Sequence, residues 1–141
     1  MFTLVRPSPG VTPEQDNPPP QRSTGRVYRS SDRGATWIAS GTLADVETGV
    51  CALAEPQPGI VLAGARCFGA RVFRSTNYGL TWTSGTVFTG DTTPGVFDCF
   101  ATRNDTLWTA GWKHGIEGAL AYSTNWGDNW TRVTLPVQAG D

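Results

Sequence analysis

Apolar residues in this chain fall in short runs, with Gly, Pro, Asn and Asp clustered between them. No segment sustains the 3.6-residue apolar period of an amphipathic helix, so the pattern predicts strands and turns almost throughout. Two sets of four runs can be read off. The first covers residues 49–54, 60–65, 71–75 and 80–87, and the second covers 96–102, 106–112, 118–123 and 129–135. Glu55-Pro56-Gln57-Pro58-Gly59 and Arg103-Asn104-Asp105 separate the first two runs of each set, as turn-forming residues should. Ala63-Gly64 in one second strand matches Ala110-Gly111 in the other, an alignment that sets Trp108 against Val61 and predicts a core tryptophan.

The runs are organised by a motif present in three copies: Ser30-Ser31-Asp32-Arg33-Gly34-Ala35-Thr36-Trp37, Ser75-Thr76-Asn77-Tyr78-Gly79-Leu80-Thr81-Trp82 and Ser123-Thr124-Asn125-Trp126-Gly127-Asp128-Asn129-Trp130. The copies begin 45 and 48 residues apart, a period that fits one four-stranded unit. An Asp or Asn two residues before a Gly can turn its side-chain oxygen onto backbone N–H groups, while the Gly supplies a positive φ. The motif is therefore a hairpin turn. Val27-Tyr28 and Val72-Phe73 lead into it, and the Trp that follows starts the outgoing strand with a large apolar area to bury. Replacing Trp37, Trp82 or Trp130 by Ala is expected to cost roughly 3–5 kcal/mol each.

This motif resembles the Asp-box, or bacterial neuraminidase repeat, of the form Ser-x-Asp-x-Gly-x-Thr-Trp. The first copy matches every defined position through Ser30, Asp32, Gly34 and Trp37. The second keeps Ser75, Gly79 and Trp82 but has Asn77 for Asp; the third keeps Ser123, Gly127 and Trp130 but has Asn125 for Asp and Asn129 for Thr. The resemblance implies an all-β fold in which the motif joins the outer strands of propeller-type blades. It does not imply one function, because the family includes sialidases, sorting receptors, photosynthetic assembly factors and viral proteins.

The expected architecture is about two and a half four-stranded blades: a hairpin over 27–43, a blade over 46–88 and a blade over 95–136, within a repeat domain spanning 27–141. Prolines 7, 9, 18, 19 and 20 fill the place of the first blade's first two strands, so residues 1–26 are expected to be an extended arm. A ring needs at least four blades, so oligomerisation or a partner is expected to complete the fold. The arm is expected to be pinned against another chain, with Phe2, Leu4 and Val5 in a strand added to a neighbour's sheet edge.

Charge and composition narrow the function. A net charge of -1 at pH 7 offers no footprint for nucleic acid, and no apolar run is long enough to span a bilayer as a helix, so neither partner is expected. Residues 1–7 lack the basic start and apolar core of a secretory signal, and a virion or extracellular assembly is the expected setting. Three Cys form neither a disulfide framework nor a zinc site. Cys51 and Cys99, 48 residues apart, are expected at one equivalent, buried position on the first strand of two blades.

Catalytic chemistry is not expected, and neither is a cofactor or metal. The single His, the lack of a nucleophile elbow and the lack of a phosphate-binding Gly loop leave no constellation to build on. Sialidase chemistry, which the resemblance raises, needs a free Tyr–Glu pair and three clamping Arg. Tyr28, Tyr78 and Tyr122 instead lie in or beside the hairpin motifs. Asn125 and Asp128 supply too few oxygens for Ca²⁺, and a turn capped by its own side chains explains them. The candidate contact loop is Trp112-Lys113-His114-Gly115-Ile116-Glu117, which gathers the only Lys and the only His with a Trp and a Glu. Trp112, Lys113, His114 and Glu117 suit either a protein interface or a glycan, since a sugar stacks its C–H face on an exposed indole. Two functions therefore stand open: a non-enzymatic structural subunit of a larger assembly, and an oligomeric glycan-binding lectin.

Overall fold

The architecture comes from a computed structural model, which describes residues 2–4, 26–43, 46–68, 71–86, 94–113 and 116–136. The described residues contain strands and no helix. Three units follow one another along the chain. The first is a three-stranded sheet of β1 (Phe2–Leu4), β2 (Val27–Arg29) and β3 (Ile38–Ala39). The second is a four-stranded antiparallel meander of β4 (Val46–Gln57), β5 (Ile60–Phe68), β6 (Arg71–Ser75) and β7 (Thr83–Thr86). The third repeats it with β8 (Pro94–Arg103), β9 (Thr106–Lys113), β10 (Ile116–Ser123) and β11 (Thr131–Val133). The fold is all-β with blade-like sheets; β5 also pairs with β8 at Cys67–Gly95 and Phe68–Pro94, which joins the two meanders at one end, and the described strands do not close into a barrel.

The eight strands anticipated for the two full blades all form, and the connections are tighter than the sequence pattern suggests. Gln57 pairs with Ile60, so Pro58 and Gly59 alone make the first turn. Arg103 pairs with Thr106, leaving Asn104 and Asp105 at φ 47° and 58°. Two consecutive positive φ values make the mirror-image turn whose twist matches that of the flanking strands.

The N-terminus differs from expectation. Phe2, Thr3 and Leu4 pair with Arg29, Tyr28 and Val27 of the same chain, not with a neighbour's edge. Because Leu62 pairs with Arg74 as Phe2 pairs with Arg29, β1 takes the place of a second strand in the first blade. Backbone groups on β2 need a partner, and the chain's own first residues supply it. Val5 and the rest of the arm to residue 25 lie outside the described residues.

The core lies between blades. Val27 and Leu43 of the first unit cluster with Ala63, Ala65 and Phe73 of the second. Leu62 and Val72, on the other face of the second blade, cluster with Phe97, Leu107, Ala119 and Ala121 of the third. A Cβ placed on Gly64 would sit 2.0 Å from the Phe97 carbonyl oxygen, so the glycine lets the second and third blades approach to backbone contact.

Two sequence expectations are corrected here. Cys51 and Cys99 are both exposed, because each lies where its first strand bulges: the ladder slips between Val50 and Ala52, and again between Phe97 and Cys99. They are also not equivalent: Cys51 falls within its bulge, whereas Cys99 pairs with Ala110. Trp108 is half-buried, and the true counterpart of Val61 is Leu107, since Val61 faces Ser75 as Leu107 faces Ser123. The Ala-Gly alignment is off by one, and a shift of one residue moves a side chain to the other face of the sheet.

Candidate functional site

The three motif turns share one internal design. In the first, Ser30 Oγ accepts the N–H groups of Asp32 at 3.3 Å and Gly34 at 2.7 Å and donates to Asp32 Oδ1 at 2.7 Å. Asp32 Oδ1 accepts the Thr36 N–H at 2.8 Å. Ser75 with Asn77 and Ser123 with Asn125 repeat these contacts onto Gly79 and Thr81, and onto Gly127 and Asn129. An amide oxygen thus serves as well as a carboxylate. The residue before each glycine is also left-handed, with φ of 59° at Arg33 and 57° at both Tyr78 and Trp126, so the turn needs two strained positions where the sequence suggested one.

Asp32 is the one carboxylate of the three. Hydrogen bonds from the Thr36 hydroxyl, the Thr36 N–H and Ser30 hold its pKa at about 2, below the ordinary 3.8. Among the described residues no group of His, Cys, Asp and Glu has the makings of a metal site.

Each later turn rests on the unit before it. Gly79 O accepts the Gly41 N–H at 3.3 Å and the Ser40 hydroxyl, and Trp82 Nε1 donates to Ser40 Oγ at 3.0 Å. The third turn sits on β5 and β6. Arg74 Nε donates to Trp126 O at 2.9 Å, with its Nη1 3.7 Å from Asp128 Oδ1. Gly127 lies so close to Leu62 that an added Cβ would be 2.7 Å from Leu62 Cδ2. Gly79, Gly127, Ser75 and Ser123 are buried by this docking, whereas Gly34 and Ser30 of the first turn are only half-buried.

The third blade turns a similar face outward. Leu107, Thr109, Ala119 and Ala121 are buried toward the second blade, so the alternate positions Trp108, Ala110, Leu120 and Tyr122 occupy the opposite face and are half-buried. Trp108 and Tyr122 pair across the strands with ring centroids 5.3 Å apart. By register they stand where Leu62 and Arg74 stand in the second blade. Sequence reasoning missed this pair as a surface; aligning the repeats on Ser75 and Ser123 would have found it.

The candidate loop is short. Lys113 pairs with Ile116, so only His114 and Gly115 join β9 to β10. These two residues, and the side chains of Lys113 and Glu117, lie outside the described residues. Trp112 is 38% exposed, and the Arg66 guanidinium carbon lies 5.6 Å from its ring centroid. That contact occupies a face of the indole with a cation. Neither protein-family models nor curated proteins yield a match to this chain.

Proposed function

We propose that the chain is a non-enzymatic structural or interaction subunit of Asp-box repeat type, whose blades pack against neighbouring chains in a larger assembly. A virion decoration or tail component, or an extracellular filament, is the setting that suits it. The observation that carries this reading is the outward face of the third blade. Trp108 and Tyr122 lie packed together and half-buried there, their rings tilted by 40°, at the positions that bind the next turn in the second blade. Large apolar side chains grouped on a sheet face favour association, and Trp and Tyr dominate the energetics of such contacts. Native mass spectrometry of the purified chain across a concentration range tests the proposal. A discrete oligomer or polymer supports it, and a monomer at every concentration that captures no partner chain refutes it.

A glycan-binding lectin is the second reading, favoured by the exposure of Trp112. Arg66 over the ring weighs against it, since a sugar would have to displace the guanidinium or use the other face. A glycan array with Trp112→Ala separates the readings. Loss of glycan binding with the oligomer intact supports a lectin, and loss of the oligomer supports an interface. Sialidase activity is the remote alternative, and it would require a tyrosine free to act as nucleophile. Tyr122 packs against Trp108 and Tyr28 is half-buried on β2, while Tyr78, 52% exposed, lies in the second motif turn with no Glu beside it in the sequence.

A further inference from the structure

The contacts between blades inside the chain have one direction. The second blade directs Leu62, Gly64, Val72 and Arg74 forward, onto the third blade and its turn. It directs Ala63, Ala65, Phe73 and Trp82 rearward, onto Val27 and Leu43 of the first unit. Trp130 repeats the rearward role in the third blade by packing on the cluster that holds Leu62. One further step in each direction leads to two faces on which no described unit packs in this way. The forward face of the third blade carries Trp108, Ala110, Leu120 and Tyr122. The rearward face of the first unit carries Tyr28 and Trp37, the counterparts of Phe73 and Trp82. Leu62, Val72 and Phe73 are at most 2% exposed, whereas Trp108, Leu120 and Tyr28 are half-buried.

We propose that these two faces belong together, so that two copies of the chain associate head to tail. Tyr28, Trp37 and the turn at residues 30–37 of one copy dock on Trp108, Ala110, Leu120 and Tyr122 of the other. The relation repeats that of the third turn to the second blade, and it sets the half-buried Gly34 against Trp108 as Gly127 is set against Leu62. This inference rests on the assembly-subunit reading and names its partner as a second copy. Three features select that partner. One chain carries both mating faces, the join continues an interface the chain already uses twice, and the turn that would enter it is the copy least covered within its own chain.

The same relation fixes the size of the assembly. A head-to-tail contact either closes into a ring or runs on as a filament. Blade-like units stacked in this way close at about four to eight. The described residues hold three units, so the ring that whole copies can build within that range has six, from two chains, with both joins made.

Light scattering and native mass spectrometry on the full chain and two variants test the proposal. Tyr122→Asp places a charge on the forward face and Tyr28→Asp places one on the rearward face. The unaltered chain is expected to be a dimer. Each variant alone should weaken that dimer by at least about tenfold. An equimolar mixture of the two should recover a heterodimer through the one join left intact. Tyr122→Arg installs the residue that the second blade already uses at this position, so it serves as the folding control and should keep the dimer. Loss of the dimer in Tyr122→Asp while Tyr28→Asp keeps it would overturn the inference, because the forward face would then pair with itself. An oligomer insensitive to both substitutions, or a filament, also overturns it but leaves the assembly-subunit reading standing. A monomer at every concentration overturns it too, and capture of a different partner chain then decides whether the broader reading survives.

Discussion

Asp32 gives the first turn a titrating group at the position that Asn77 and Asn125 hold in its two counterparts. Its folded pKa of about 2 lies below the ordinary 3.8, so the stability it contributes is present above the unfolded value and is lost as pH falls through the folded one. The amides of Gly34 and Thr36 are therefore expected to shift together between about pH 4 and pH 2 in an NMR titration, while those around Asn77, whose turn carries no carboxylate, stay put. In Asp32→Asn the acid shift should vanish and the turn should remain, since Asn77 and Asn125 already hold the same N–H contacts. A second comparison concerns the indoles. Trp82 Nε1 donates to Ser40, whereas Trp130 Nε1 is buried without a partner. Gly85 occupies the place in the second repeat that Ser40 has in the first, and it carries no hydroxyl to offer. Ser40→Ala should therefore cost about 1–3 kcal/mol in chemical denaturation, the penalty of leaving a buried donor unpaired.

Local chemistry decided how much of each element could be read from the sequence. The eight strands of the two full blades and their turns were legible because Gly34, Gly79, Gly127 and Asn104-Asp105 stand at left-handed turn positions, although Arg33, Tyr78 and Trp126 are left-handed without any sequence signal, and Ser30, Ser75 and Ser123 mark the same place in every repeat. Bulges were not legible, since nothing in Val50-Cys51-Ala52 or Phe97-Asp98-Cys99 signals a slipped ladder, and so both cysteines were misplaced as buried. The pairing of β1 with β2 was hidden for another reason: a proline-rich stretch of more than twenty residues separates the partners, and pairing over that distance leaves no periodic trace. At the candidate site, the exposure of Trp112 could be anticipated but the Arg66 stacked on it could not, because that contact joins two blades. Gly64 is the element-scale feature most open to test. Gly64→Ala would drive a methyl into the Phe97 carbonyl, a backbone atom with little room to yield, and should cost at least about 1–3 kcal/mol. Gly85→Ala, whose added carbon would lie 3.3 Å from Val72 O, is the milder control. Thermal unfolding should rank the two in that order.

Across the whole molecule, stability is arranged by neighbours, because each cluster of buried residues spans one pair of adjacent units and the two clusters share no residue. Among the described residues, only the second blade has clusters of buried residues on both faces. Its β5 shows this in the unbroken burial from Val61 to Ala65, where the first and third units have one covered face each. In such an array the terms that hold the fold are the units themselves and the joins between neighbours. Hydrogen exchange should therefore be slowest in β5 and β6 and faster in β2, β3, β10 and β11. Leu62→Ala removes side-chain atoms from the join between second and third blades and should cost about 2–5 kcal/mol there. Phe73→Ala acts on the other join, at about 3–5 kcal/mol. If the joins are separate, Leu62→Ala speeds exchange in β9 and β10 more than in β2, and Phe73→Ala does the reverse. Equal acceleration everywhere in both variants would mean that the three units unfold as one body, and that the order seen in the clusters carries no energetic boundary.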